Sequence, residues 1–228
     1  MVKISRLFIL TILISLSNRI GAQELKVVRD FRLISEIEIE KSLFNDWKVS
    51  FSPVLKLEKN ATRIDEVDFD LKVKYSLLKF LSLGTGYRLI MNHRKNGNYE
   101  QKHRFMGEIG LEYDIQRFEL DYRFRYQNID DDFFQAETDM LPENILRNRL
   151  QIRYDIPKSK LTPYLFTEFY GILEHELPFA YKIKMGSGLR YNLKKYGSLK
   201  AYYRVDRELN ADYPFTYFIL GISYSYEF

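Results

Sequence analysis

Between Phe118 and Asp155 the chain alternates twice. Phe118, Leu120, Tyr122, Phe124 and Tyr126 occupy every second position, with Glu119, Asp121, Arg123 and Arg125 between them. An acidic connection follows. Then Leu146, Leu150, Ile152 and Tyr154 share one parity, while Arg147, Arg149, Gln151, Arg153 and Asp155 share the other. A period of two places each set on one face of a β-strand. One face is oily and aromatic; the other is almost wholly ionised.

The same signature recurs along the chain. Phe31, Leu33, Ile37 and Ile39 oppose Arg32, Glu36, Glu38 and Glu40. Trp47 opens a run through Phe51, Pro53 and Leu57, in which Pro53 requires a bulge or a frayed ladder. Val67 to Tyr75 alternates with Asp68, Asp70, Lys72 and Lys74; Leu81 to Met91 alternates with Gly84, Gly86 and Arg88. The two glycines leave room for long side chains opposite, as a narrow interior needs. Phe105, Ile109, Leu111, Tyr113 and Ile115 oppose Arg104, Glu108, Glu112 and Asp114. From Leu161 to Gly171 the pattern is less clean, because Tyr164, Phe166 and Tyr170 share a parity with Glu168. Glu168 is read as inward with the aromatics beside it, the opposite facing staying open. Tyr181, Ile183, Met185, Leu189 and Tyr191 oppose Lys182, Lys184 and Arg190. Leu199 to Val205 oppose Lys200, Tyr202, Arg204 and Asp206, and the run from Phe218 to Phe228 opposes Gly221, Ser223, Ser225 and Glu227.

Eleven runs of about ten to fourteen residues exceed the usual soluble strand and suit a tilted membrane crossing. Their connections alternate between tight turns and longer or more polar loops, which sets turns toward a periplasm and loops outward. The expectation is an all-β fold: a single antiparallel transmembrane β-barrel, lipid outside and charge within. Eleven strands cannot close an all-antiparallel sheet. Twelve is the favoured number, with Glu24 to Asp30 as a partial extra strand, and ten the alternative if the run from Phe31 lies outside the wall. A soluble lipocalin-like barrel would give the same alternation with its faces reversed; strand length and the aromatic last run favour the membrane.

The first residues refine the picture. Lys3 and Arg6 precede an apolar core from Leu7 to Leu16, and Gly21-Ala22 offers a small-residue exit, so residues 1–22 are expected to be a cleaved signal peptide and 23–228 the barrel domain. The apolar core is too short to span as a helix. Loss of that segment removes three of the 35 basic residues and no acidic one, so the net charge falls from +4 to +1. No basic cluster remains to bind nucleic acid. The chain has no cysteine, hence neither disulfides nor a lipidated N-terminal Cys. Aromatic content is high, with 18 Tyr and 17 Phe; Trp47, Tyr75, Tyr87, Tyr126, Tyr154, Tyr191 and Tyr226 are candidates for girdles at a lipid–water boundary.

Catalytic chemistry finds little support. Lipid hydrolysis would need a nucleophile, a base and an orienting group in hydrogen-bond reach. His93, His103 and His175 are the only histidines, no GxSxG elbow occurs, and the three are too dispersed for a metal centre. Asp130-Asp131-Asp132, with Glu137 and Asp139, reads as a solvated acidic loop without calcium-site spacing. No catalytic residue, metal or cofactor is expected. The inward parity carries more: Arg123 and Arg125 on one strand, Arg147, Arg149 and Arg153 on the next, and Glu108, Glu112, Glu119, Asp121, Glu168, Arg190 and Arg204 on faces around them. Opposed charges in a small barrel plug it with paired side chains. A narrow pore for small anionic or polar solutes through the arginine strip is the alternative, and adhesion or assembly through the 128–144 loop a second. Expected partners are outer-membrane lipid and such a solute, with no nucleic acid; the barrel is expected to be a monomer.

Several segments resemble the DUF2490 family: Trp47 to Glu58, Lys79 to Arg88, His103-Arg104-Phe105, Arg147 to Leu150, Lys160 to Tyr164 with Glu168, Tyr202-Tyr203-Arg204, and Ile219 to Phe228. The resemblance covers roughly residues 30–228. It implies an outer-membrane barrel of a Gram-negative bacterium related to Bacteroidetes, and brings no catalytic function with it.

Overall fold

A computed structural model describes residues 28–44, 46–93, 97–130, 144–173, 180–209 and 214–228. The expected signal peptide, His175 and the 131–143 part of the acidic loop lie outside them. Eleven strands run in chain order: β1 (Val28–Leu43), β2 (Trp47–Glu58), β3 (Arg63–Leu78), β4 (Leu81–His93), β5 (Tyr99–Ile115), β6 (Phe118–Asp130), β7 (Asn144–Tyr154), β8 (Leu161–Ile172), β9 (Ala180–Asn192), β10 (Ser198–Glu208) and β11 (Phe215–Glu227). Each pairs with its sequence neighbour in antiparallel fashion, and β1 pairs with β11 to close the barrel.

The fold is the closed all-β barrel the alternation predicts, with one correction. Among the described residues there are eleven strands rather than twelve or ten, because the closing seam is parallel. β1 and β11 run in the same direction and pair from Val28↔Phe215 to Glu40↔Glu227. Val28, Arg29 and Asp30, expected above in an extra strand, begin β1 itself. A parallel seam removes the parity rule that an all-antiparallel closure obeys. Its evenly spaced bonds also keep inward positions beside inward positions, as with Ile34 opposite Gly221 and Glu36 opposite Ser223.

Facing is decided by burial. Leu165 is 63% exposed and Phe105 52%, whereas Asp68 is 0% and Asp70 1% exposed. The oily parity points outward on every strand, and the ionised parity points in. This is the reverse of a lipocalin-like interior. Pro53 sits at a gap in the ladder: β1 and β2 pair at Glu36↔Val54 and again at Ile39↔Phe51, with nothing between, while Pro53 itself faces Phe69 on β3. The frayed ladder, not a bulge, accommodates the missing N–H.

The connections after β1, β3, β5, β7 and β9, two to six residues long, lie at one end (the turn end), and those after β2, β4, β6, β8 and β10, four to thirteen residues long, lie at the other (the loop end). At the turn end Trp47 lies 4.8 Å from Tyr75, and Phe118 5.0 Å from Tyr154; Tyr87 and Phe105, 5.3 Å apart (ring centroids), sit midway along β4 and β5. The loop from Lys59 to Ala61 has three successive left-handed residues, and the Asp30 carboxylate accepts from the backbone N–H groups of Lys59 (3.3 Å) and Asn60 (3.1 Å). On the outer face Asn148 is a lone amide among apolar neighbours. Its Oδ1 accepts from the Tyr122 hydroxyl at 2.7 Å, which spares an exposed polar group in that band.

Candidate functional site

Among the described residues the lumen concentrates the ionised side chains. Strand pairing puts like charges side by side there: Arg123 opposite Arg149 and Arg125 opposite Arg147, across β6 and β7. Like charges directly opposite are unfavourable, so each flanking strand supplies a carboxylate. Arg125 donates through Nε (2.9 Å) and through its terminal nitrogen (2.6 Å) to Glu108 on β5. Glu168 on β8 accepts from Arg147 at 2.8 Å and from Arg123 at 3.0 Å, and Tyr170 donates its hydroxyl to the same carboxylate at 3.1 Å. Arg147 also reaches Gln127 at 3.1 Å and stacks 4.6 Å above the Tyr170 ring.

A second network joins β2, β3 and β4. Arg88 grips the Asp70 carboxylate and reaches Asp68 at 3.2 Å; Lys56 meets Asp68 at 2.8 Å and pairs with Glu66. On β9 and β10, Asp206 lies 2.8 Å from Arg204 and 3.5 Å from Lys184. Toward the loop end Arg32 touches Asp65 (2.9 Å), Asp30 (3.2 Å) and Glu58 (3.3 Å). Charges taken out of water hold only when paired and hydrogen-bonded, and most of this interior meets that condition.

Glycines shape the wall around the larger rings. The Tyr202 ring lies flat on Gly221, where an added Cβ would come within 2.0 Å of its Cζ; Tyr164 lies likewise on Gly188, at 2.5 Å. Gly84 makes room for Glu108, whose Cγ would meet a Cβ there at 2.7 Å. The bulge between Tyr170 and Gly171 turns Tyr181 inward, against Ile145 and Tyr170. Its assignment above to the outer parity is thereby corrected.

Among the described residues two cavities lie inside the barrel. One of about 300 Å³ fills the turn-side half and includes Lys74, Glu112, Arg153 and Arg190 in its lining; the other, about 440 Å³, fills the loop-side half with Arg88, Arg104 and Lys184 among its walls. Arg123, Arg149, Tyr164 and Lys200 line both and mark the level at which the two halves meet. Three of these four side chains are cationic.

All twelve lumen residues singled out from the sequence lie on inward faces. Arg123, Arg125, Arg147, Glu108 and Glu168 form the central network. Arg153 pairs with Glu119 and lies 3.8 Å from Asp121; Glu112 pairs with Lys74 at 3.1 Å. Arg204 pairs with Asp206. Arg149 bonds to Gln151 and sits 4.8 Å above the Phe166 ring, and Arg190 donates to the Ser198 hydroxyl at 3.3 Å. Sequence reasoning passed over Asp68, Asp70, Arg88 and Lys200, although they carry the same inward parity. It also missed Ile34, Val54 and Ile219, a small apolar cluster inside the barrel packed against Tyr202 and Tyr217.

Neither described histidine faces the cavities' ion pairs. His103 Nδ1 is 2.6 Å from the Tyr87 hydroxyl, and His93 packs edge-on to Tyr99 at 5.2 Å. Among the described residues no group of three or more His, Asp or Glu is arranged to hold a metal ion. What the arrangement can do is bind and exclude: fix charges in a rigid interior and present a few unneutralised cations to a small anion.

No curated protein matches the chain. The family model described as "Protein of unknown function (DUF2490)" matches residues 32–213, and the chain belongs to that family.

Proposed function

We propose that this chain is an outer-membrane barrel of a Gram-negative bacterium, exported by cleavage of residues 1–22, and that it acts as a closed wall with a largely occupied lumen. The outward position of the apolar parity carries the reading. Leucine, isoleucine, phenylalanine and tyrosine cover the outside of every strand, a continuous apolar surface far beyond what a soluble monomer exposes. A closed sheet satisfies its backbone groups internally and tolerates hydrocarbon around it. The aromatic pairs Trp47–Tyr75 and Phe118–Tyr154 at the turn end suit a lipid–water interface.

Inside, ion pairs reach across neighbouring strands at successive levels, and the two cavities meet at a layer of four large side chains. A wall of this kind conducts little. Purified protein inserted into a planar bilayer is expected to give no stable conductance steps. The second reading is a narrow anion pore, favoured by the surplus of arginine at the layer where the cavities meet. Steady anion-selective steps abolished by Arg123→Gln, Arg147→Gln and Arg149→Gln together would establish that reading and end the first. Adhesion or assembly through the 128–144 loop is a third proposal, tested by deleting the loop and asking whether a partner is lost while the barrel still folds.

A further inference from the structure

The turn-side cavity is not electrically balanced. Six basic side chains line it, Lys74, Arg123, Arg149, Arg153, Arg190 and Lys200, against three acidic ones, Glu108, Glu112 and Asp121. Lys74 is neutralised by Glu112, Arg153 by Glu119 and Asp121, and Arg123 by Glu168. Glu108 is taken by Arg125. Arg149, Arg190 and Lys200 are left without an ion pair among the described residues.

Their placement sharpens the imbalance. Arg190 and Lys200 are direct partners across the β9–β10 ladder, so two cations stand side by side. Elsewhere in the lumen Arg123, Arg125 and Arg147 face the same problem and are held by Glu108 or Glu168; here no carboxylate comes between. Glu36 and Glu38 attract Lys200 only from beyond ion-pair distance, and Glu38 is bonded to Ser225 at 3.1 Å. Arg149 has its Nε buried with no acceptor. Tyr164, laid flat on Gly188, shares this lining and its hydroxyl has no partner among the described residues. Arginine does not give up its proton, so the charge must be met from outside the chain or borne at a cost.

We propose that this cavity is a binding site for a small phosphate-type polyanion, held by Arg149, Arg190 and Lys200 with the Tyr164 hydroxyl as a further donor. Two guanidinium forks and an ammonium suit the tetrahedral oxygens of phosphate, and about 300 Å³ admits phosphate or pyrophosphate rather than a large ligand. The site rests on the inward facing of these charges and not on what surrounds the barrel. A continuous ladder from β7 to β10 separates it from the outer face, so the anion is a soluble one rather than a lipid headgroup.

The test uses the full chain in a neutral detergent free of lipid, titrated calorimetrically with pyrophosphate and with inorganic phosphate, and followed in parallel by thermal unfolding. Saturable binding and a raised Tm are expected for the native sequence. Arg149→Gln, Arg190→Gln and Lys200→Gln should each weaken binding about tenfold or more, the effect of losing one charge-assisted hydrogen bond. Lys79→Gln, at an exposed turn, should bind as the native chain does. Without anion, Arg190→Gln and Lys200→Gln should unfold at a higher temperature than the native chain, because a like-charge pair has gone. Absence of saturable binding, equal binding by all variants, or binding that needs added phospholipid overturns the site. Should a glutamine variant fail to fold, Arg149→Lys and Arg190→Lys keep the charge and lose the fork; undiminished affinity in both would equally count against it.

Discussion

Glu168→Gln is expected to destabilise the barrel by about 3–5 kcal/mol, the cost of leaving buried charge uncompensated. Glu168 is almost fully buried and its carboxylate is shared by Arg123 and Arg147, with the Tyr170 hydroxyl as a third donor. The amide keeps the shape and removes the charge. Two guanidinium groups on neighbouring strands then repel one another with nothing between them. The control is Glu112→Gln, which breaks a pair to Lys74 whose two side chains are each about two-fifths exposed; water compensates there, and a loss of about 0–1 kcal/mol is expected. Urea titration in detergent, fitted for both variants, measures the contrast. Glu168→Leu combined with Arg147→Leu should recover part of the loss, since one of the two buried guanidinium groups goes with the carboxylate while Arg123 alone stays uncompensated. Equal effects at 168 and 112 would show that the interior is hydrated throughout and that its ion pairs do not hold the wall.

Gly221→Ala should cost about 1–3 kcal/mol, the range for overpacking a filled interior. The new Cβ falls on the Tyr202 ring, which rests against the β11 backbone and packs with the Ile34, Val54 and Ile219 cluster. The ring must lift off, and the space it vacates cannot be refilled by the strand beneath it. Gly107→Ala makes the contrast, because nothing lies within 4 Å of a Cβ at that position; it should be neutral or slightly stabilising. Tyr202→Ala in the Gly221→Ala background should cost less than Tyr202→Ala alone, because the alanine partly fills what the ring leaves. A double-mutant cycle read by thermal unfolding gives the coupling. Additive losses would mean that ring and glycine do not touch.

Most of the wall was legible because a barrel strand needs only parity, and parity survives in a sequence. Arg123 and Arg125 had to share a face whichever way the sheet curled. Closure was not legible. The rule that strands come in even numbers assumes an antiparallel seam, and nothing local in Phe31 to Glu40 or Phe218 to Glu227 states that those two runs pair with each other in the same direction. Bulges were also hidden: one extra residue at Tyr181 reverses a facing that the alternation assigns outward. Pro53 announced a difficulty but not its form, since a gap and a bulge both spare a missing N–H. In the lumen, residue type and facing were readable for Arg149 and Arg190. Their lack of a carboxylate depends on which strands become neighbours and on where Glu108 and Glu168 are spent. That is a property of the register.

The direction of the oily face in its natural surroundings decides the rest. The chain has no cysteine, so single cysteines can be placed at will. Fluorophores on cysteines introduced at Leu71, Leu150 and Leu220 outside, and at Ser52 and Ser223 inside, report their surroundings in vesicles containing nitroxide-labelled lipid. Strong quenching at the three outer positions and weak quenching at the two inner ones is the expected result. Equal quenching at all five, or a chain that stays in the aqueous phase without detergent, would contradict a lipid-embedded barrel.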